Sequence, residues 1–118
     1  MNHIDVGNKG EQSAASYLGR LGYKIIATRY RAKTGEIDII AKDKECLVFV
    51  EVKTRRSVAY GFPAEAVNVR KQQKIINTAL CFLNQRGLSD AACRFDILEV
   101  YLSQDSIRCN HIINAFGS

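Results

Sequence analysis

Gly35-Glu36-Ile37-Asp38-Ile39-Ile40-Ala41, followed by Leu47-Val48-Phe49-Val50-Glu51-Val52-Lys53, is the stretch on which the reading of this chain turns. In the first segment Ile37, Ile39 and Ala41 alternate with Glu36, Asp38 and Ile40; in the second Val48, Val50 and Val52 alternate with Leu47, Phe49, Glu51 and Lys53. A period of two is the signature of strands. Asp43-Lys44-Glu45-Cys46 between them is a polar turn, so the two segments are expected to form a hairpin. Its register sets Asp38 opposite Glu51 and Glu36 opposite Lys53. Directly opposed side chains stand roughly 4.5–5.5 Å apart at Cβ, where like charges repel. A cation between Asp38 and Glu51 removes that repulsion.

Two close carboxylates form a hard oxygen site suited to Mg²⁺ or Mn²⁺. Mg²⁺ takes one or two carboxylates, keeps several waters and leaves room for phosphate. Such a cation polarises a phosphodiester and acidifies a water. Lys53, two residues beyond Glu51, shares its face and is placed to stabilise charge on phosphorus or orient the water. The plainer alternative is a solvated hairpin in which Glu36 and Lys53 make a weak cross-strand pair. Against it, Val48, Val50 and Val52 demand burial on one side, and Leu47 and Phe49 on the other. Charges inside a doubly buried strand are costly unless paired or metal-bound.

An Asp followed by Glu-x-Lys on the next strand resembles the active-site signature of the PD-(D/E)XK nuclease superfamily. The longer wording GEIDII…FVEVKTRRS is similar to the YraN-like family of small bacterial proteins, whose fold is like that of archaeal Holliday-junction resolvases. The likeness extends over Gly10-Glu11 with Ala14, Tyr30-Arg31, and Phe49 to Arg55. It continues through Ala66-Val67 with Lys71-Gln72, Arg94-Phe95-Asp96, and Asn114-Ala115-Phe116. The chain departs from the pattern in lacking a proline before Asp38, in Arg29 where Asn is more usual, and in Gln73-Lys74 where arginines are common. The resemblance implies a restriction-endonuclease-like α/β fold, with a mixed sheet flanked by helices. It implies catalysis by Asp38, Glu51 and Lys53, and a helix-borne Glu11 as a further metal ligand beside Asp38 and Glu51. Read from its own spacing, Glu11 instead forms a capping box with Asn8. Glu36 is either a residue that orients Lys53 or a ligand itself.

The 118 residues, 47% hydrophobic and 25% charged, suit one globular domain spanning 1–118. A net charge of +5 and a pI near 9.2 favour an anionic partner. Arg29, Arg31 and Lys33 precede the acidic hairpin; Lys53, Arg55 and Arg56 close it; Arg70, Lys71 and Lys74 open the next helix. Arg29, Arg31, Arg55, Arg56, Lys71 and Lys74 are therefore the expected nucleic-acid contacts, with Tyr60 and Phe62 as stacking candidates. No signal-peptide pattern or membrane-length apolar run is present, so a cytoplasmic protein without a membrane partner is expected. Cys46, Cys81, Cys93 and Cys109 are scattered and read as buried thiols, and His3 and His111 as isolated.

Along the chain the patterns predict a helix, three strands, a helix and two strands. Asn8-Lys9-Gly10-Glu11 opens the first helix, Ala14, Ala15, Leu18 and Leu21 give its apolar face, and Gly22 ends it. Tyr23 to Tyr30 is the first strand. A loop follows the hairpin from Ser57 to Ala66. Asn68 caps a helix running to about Arg86, with Ile76, Ala79, Leu80 and Leu83 as its buried stripe and Gly87 as its stop. Arg94 to Leu102 and Ile107 to Ile113 close the fold as a hairpin. The function expected is a Mg²⁺- or Mn²⁺-dependent endonuclease acting on DNA, with branched or repair-associated DNA suggested by the resolvase likeness. The alternative is a nucleic-acid-binding protein with little turnover. DNA is the favoured nucleic acid, and a homodimer stays open. Replacing Arg55 and Arg56 together by Ala should weaken nucleic-acid binding across sequences and flatten its salt dependence by about one unit of slope for each phosphate no longer neutralised. Binding isotherms across a salt series measure this, and an unchanged slope refutes the assignment.

Overall fold

The computed structural model describes residues 3–56 and 67–117, apart from the side chains of residues 3–5 and Arg56. The chain runs α1 (His3–Arg20), β1 (Lys24–Ala32), β2 (Gly35–Asp43), β3 (Cys46–Arg56), α2 (Val69–Gln85), β4 (Cys93–Leu102) and β5 (Ile107–Phe116). This is the order the sequence patterns predict. The strands form one sheet in the order β1-β2-β3-β4-β5. All neighbours are antiparallel except β3 and β4. A parallel pair needs a long crossover, and α2 supplies it. The arrangement is a mixed α/β sheet with two helices, consistent with a restriction-endonuclease-like fold. The expected loop from Ser57 to Ala66, with Tyr60 and Phe62, lies outside the described residues.

The apolar alternation of β3 buries both faces. Ala14 and Leu18 of α1 cover Ile39, Ala41, Val48, Val50, Leu98 and Val100. On the other side Ile75, Ala79, Phe82 and Leu83 of α2 cover Ile37, Ile40, Leu47, Phe49, Phe95 and Ile97. Beneath α2, Phe49 stacks on Phe95 and Phe95 on Phe116, while Phe82 meets Phe49 and Tyr30 edge-on. Each such pair adds about 0.5–1.5 kcal/mol beyond its buried area, so this aromatic ladder ties α2 to four of the five strands.

Helix ends follow local chemistry. The Asn68 side chain accepts from the Lys71 N–H at 2.8 Å, as a cap should. Gly22, at φ 93, ends α1 with Tyr23 N–H bonded to Leu18 O and Gly22 N–H to Gly19 O. Gly87, at φ 66, ends α2 with the same paired bonds. The start of α1 differs from expectation. It begins at His3, so Asn8 and Glu11 lie inside the helix and form no capping box. The α2 stripe is also shifted: Ile75, Thr78, Ala79, Phe82 and Leu83 are buried, whereas Leu80 is 51% exposed. Leu21 of the expected α1 face is exposed as well, because it lies beyond the last turn. The first strand runs two residues further than expected and the last three further, since both continue to find partners across the sheet.

Gly10 sets how closely α1 approaches the sheet. A Cβ at this buried position would lie 1.9 Å from Thr54 Oγ1 and 2.6 Å from its Cγ2. Thr is stiff at χ1 and cannot swing clear. Gly10→Ala should therefore cost roughly 1–3 kcal/mol in denaturant unfolding. Thr54→Ala in the same protein should recover much of that loss; no recovery would place the strain elsewhere.

Candidate active site

The pairing of β2 with β3 runs from Asp43↔Cys46 to Ile39↔Val50. That is the predicted register, and it brings Asp38 level with Glu51. Beyond this point β2 stays paired to β1 and β3 to β4, but the two strands part. The Val52 N–H donates instead to Asp38 Oδ2 at 2.8 Å. Ile37 packs toward α2 and Ile39 toward α1, so the expected alternation slips by one residue at Asp38. Arg29, between the pairs Thr28↔Ile39 and Tyr30↔Ile37, has φ 52. A left-handed residue within a strand bends it locally, so β1 and β2 are irregular at the same row.

The expected opposition of Glu36 and Lys53 is not formed, because the ladder has opened before it reaches them. Glu36 lies instead across from Arg31 on β1, with Arg31 Nε 3.6 Å from Glu36 Oε1. Lys53 remains two residues beyond Glu51 on the same strand, and its ammonium acts on the Glu51 carboxyl.

Glu51 is only 8% exposed. Burial, reinforced by the charge of Asp38, pushes its carboxyl up to about 7. Burial likewise raises Asp38, opposed by the Val52 N–H and by hydrogen bonding with Glu51. Lys71 Nζ, from the first turn of α2, stands 4.0 Å from Glu51 Oε1. Glu11 is near enough to raise the Asp38 carboxyl further, but its own oxygen is taken by Arg29. Arg29 Nε and Nη2 lie 2.8 and 2.7 Å from Glu11 Oε2, and Nη2 also bonds Asn8 Oδ1. Among the described residues, no three Asp, Glu, His or Cys side chains converge as a ready metal cluster. The Asp38–Glu51 pair does converge, and two like carboxyls in contact, one of them buried, are relieved by either a proton or a cation. Two carboxylates fit the coordination habit of Mg²⁺, which takes one or two of them and keeps several waters.

Among the other residues singled out from sequence, Arg29, Arg31, Lys71 and Lys74 are exposed, Arg55 is half-buried, and the side chain of Arg56 lies outside the described residues. The four cysteines are free thiols, partly or fully exposed instead of buried, three of them at strand ends or in the last strand. His111 is not isolated: its Nε2 lies 2.7 Å from Asp96 Oδ2, in a buried network with Arg94 and the Asn114 N–H. That network follows from the β4–β5 register, which residue spacing does not reveal. No helix among the described residues is long and apolar enough to cross a membrane.

Fold and site together define an α/β protein with a close acidic pair, one member buried and one half-buried, where two sheet strands part, flanked by basic side chains. Residues 10–100 match the family described as uncharacterised protein family UPF0102, and the chain belongs to it. This is the YraN-like family that the sequence resembles. A UPF0102 protein of Caldanaerobacter subterraneus is 47% identical, with 98% of each chain covered. One of Geobacter sulfurreducens is 48% identical over 94% of this chain and 88% of its own. One of Clostridioides difficile is 45% identical over 98% of this chain and all of its own.

A carboxyl raised from 4.5 to about 7 by folding binds a proton that the unfolded chain has released, so it costs stability as pH climbs through that window. In EDTA, wild-type stability should fall by roughly 1–3 kcal/mol between pH 4.5 and 8 relative to Glu51→Gln, whose side chain does not titrate. Thermal melts of both proteins across pH test this; parallel pH profiles would mean that Glu51 is not forced to hold its proton.

Proposed function

We propose that this protein is a divalent-cation-dependent endonuclease of the PD-(D/E)XK type, acting on DNA in the cytoplasm. The observation that carries the reading is the position of buried Glu51 and half-buried Asp38, level at the mouth of the strand fork, with Lys53 two residues further along β3. Asp38 and Glu51 would hold Mg²⁺ or Mn²⁺. The chemistry supplied by such a bound cation is polarisation of the phosphodiester and acidification of the attacking water. Asp38 is aimed by the Val52 N–H, which fixes its Oδ2, while its carboxyl also hydrogen-bonds with Glu51. Lys53 would place its ammonium on the phosphate as negative charge builds there. Lys71 tempers the acidic pair from the α2 side, while Lys74 and Arg55 extend positive charge along the path of a phosphate chain. A branched or repair-associated substrate is what the sequence resemblance to resolvase-like nucleases implies, by analogy of fold alone.

Lys53→Ala should leave DNA affinity within about a few-fold, since one of many positive charges is removed. Cleavage should fall by roughly 10²–10³, the usual cost of removing one preorganised electrostatic stabiliser. Single-turnover cleavage at saturating protein, on duplex, flap and four-way-junction DNA, separates binding from chemistry. Wild-type rates in the mutant would refute the role of Lys53. Binding without cleavage of any substrate by the wild type would replace the enzyme with a nucleic-acid-binding protein.

A further inference from the structure

Arg29 adopts φ 52, a conformation that costs free energy for any residue with a Cβ. Its side chain is committed to α1: both Nε and Nη2 reach Glu11 Oε2, and Nη2 reaches Asn8 as well. The sheet register puts Arg29 level with Asp38, and Glu11 is close enough to act electrostatically on the Asp38 carboxyl. The guanidinium therefore neutralises a further carboxylate that α1 brings to the strand fork. The pair is half-exposed on its Arg29 side and lines a surface pocket of about 450 Å³ with Gln12, Ala15 and Thr28. The guanidinium has room to leave, and an ion pair this open is weakly held.

We propose that the Arg29–Glu11 ion pair is a latch on the cation site. Arg29 holds Glu11 away from Asp38 and Glu51, and a phosphate that draws the guanidinium off frees Glu11 to join them. A phosphodiester is a direct competitor for the carboxylate, because a guanidinium binds either through the same fork of donors. Phosphate and cation binding then reinforce each other, since a linkage of this kind is reciprocal. The inference rests on Asp38 and Glu51 being the cation-holding pair.

The test is Mn²⁺ binding, followed by calorimetry on the full chain without nucleic acid. The proteins are wild type, Arg29→Asn, Glu11→Gln, the double variant and Asp38→Asn, with folding of each checked by thermal melt. Asn tolerates a positive φ, so Arg29→Asn removes the cation without adding strain. It should tighten Mn²⁺ binding roughly two- to fivefold, the range that a half-exposed ion pair gives up. Glu11→Gln alone should change little, because Glu11 is already engaged, and the double variant should return to wild-type affinity. No gain in Arg29→Asn overturns the latch. So does a gain that persists in the double variant, which would reflect only the removal of a positive charge. Unchanged affinity in Asp38→Asn, or no Mn²⁺ binding by the wild type, overturns the cation-pair reading and the latch with it.

Discussion

The parting of β2 and β3 beyond Ile39↔Val50 is the constraint on which the rest of this structure depends. Up to that row the two strands satisfy each other's backbone groups and bury apolar side chains on both faces. Past it, each strand has lost one partner, and buried N–H groups must find another acceptor. Asp38 supplies one, so a side chain takes over the role of a neighbouring strand. The gap lets side chains from both layers address one point: Glu11 from α1 and Lys71 from α2. An unbroken sheet would have kept them on opposite sides of a wall.

That arrangement runs against stability. Burial raises the proton affinity of both carboxyls and the charge of Asp38 raises that of Glu51 further, and the fold tolerates them because the rows next to them are closed. Ile39, Val48, Val50 and Leu98 are fully buried directly beside the fork and hold the strands in place. A local breach of packing rules inside an otherwise consistent core is where function is expected to lie.

Charge around the fork is organised in pairs. Arg29 meets Glu11, Arg31 meets Glu36, and Lys71 approaches Glu51. The net charge of +5 is thus not a uniform positive field, because several bases near the site are already partnered by acids. A phosphate chain would have to exchange these contacts, not simply add to them, and exposed pairs permit that exchange at small cost. The Asp96 network is different in kind. Asp96 is fully buried, and Arg94 and the Asn114 N–H hold its carboxyl below the usual carboxylate range, with His111 as the leading contributor against the cost of burial. Arg94 also reaches Asp43 Oδ2 and the Tyr23 hydroxyl, binding β4 to β2 and to the chain between α1 and β1. This is a structural brace, and it keeps β4 fixed beside the strand that carries Glu51.

Much of this was legible in the residues. Alternation marked β2 and β3, apolar residues on both faces of β3 placed it inside the sheet, and the hairpin turn set Asp38 level with Glu51. Asn68, Gly22 and Gly87 marked helix boundaries because caps and left-handed turns depend on a few adjacent dihedrals. What tertiary structure alone decided concerns segments distant in sequence. The start of α1 at His3 removed the capping box, the shift from Leu80 to Ile75 followed from how α2 lies on the sheet, and the parallel step between β3 and β4 came from the crossover. The partners of Glu11, Glu36 and His111 also belong here. A charge's partner depends on where separate strands and helices come to rest, and no periodicity within one segment records that. The chain's own dihedral preferences determined its elements; the packing of those elements determined which charges meet.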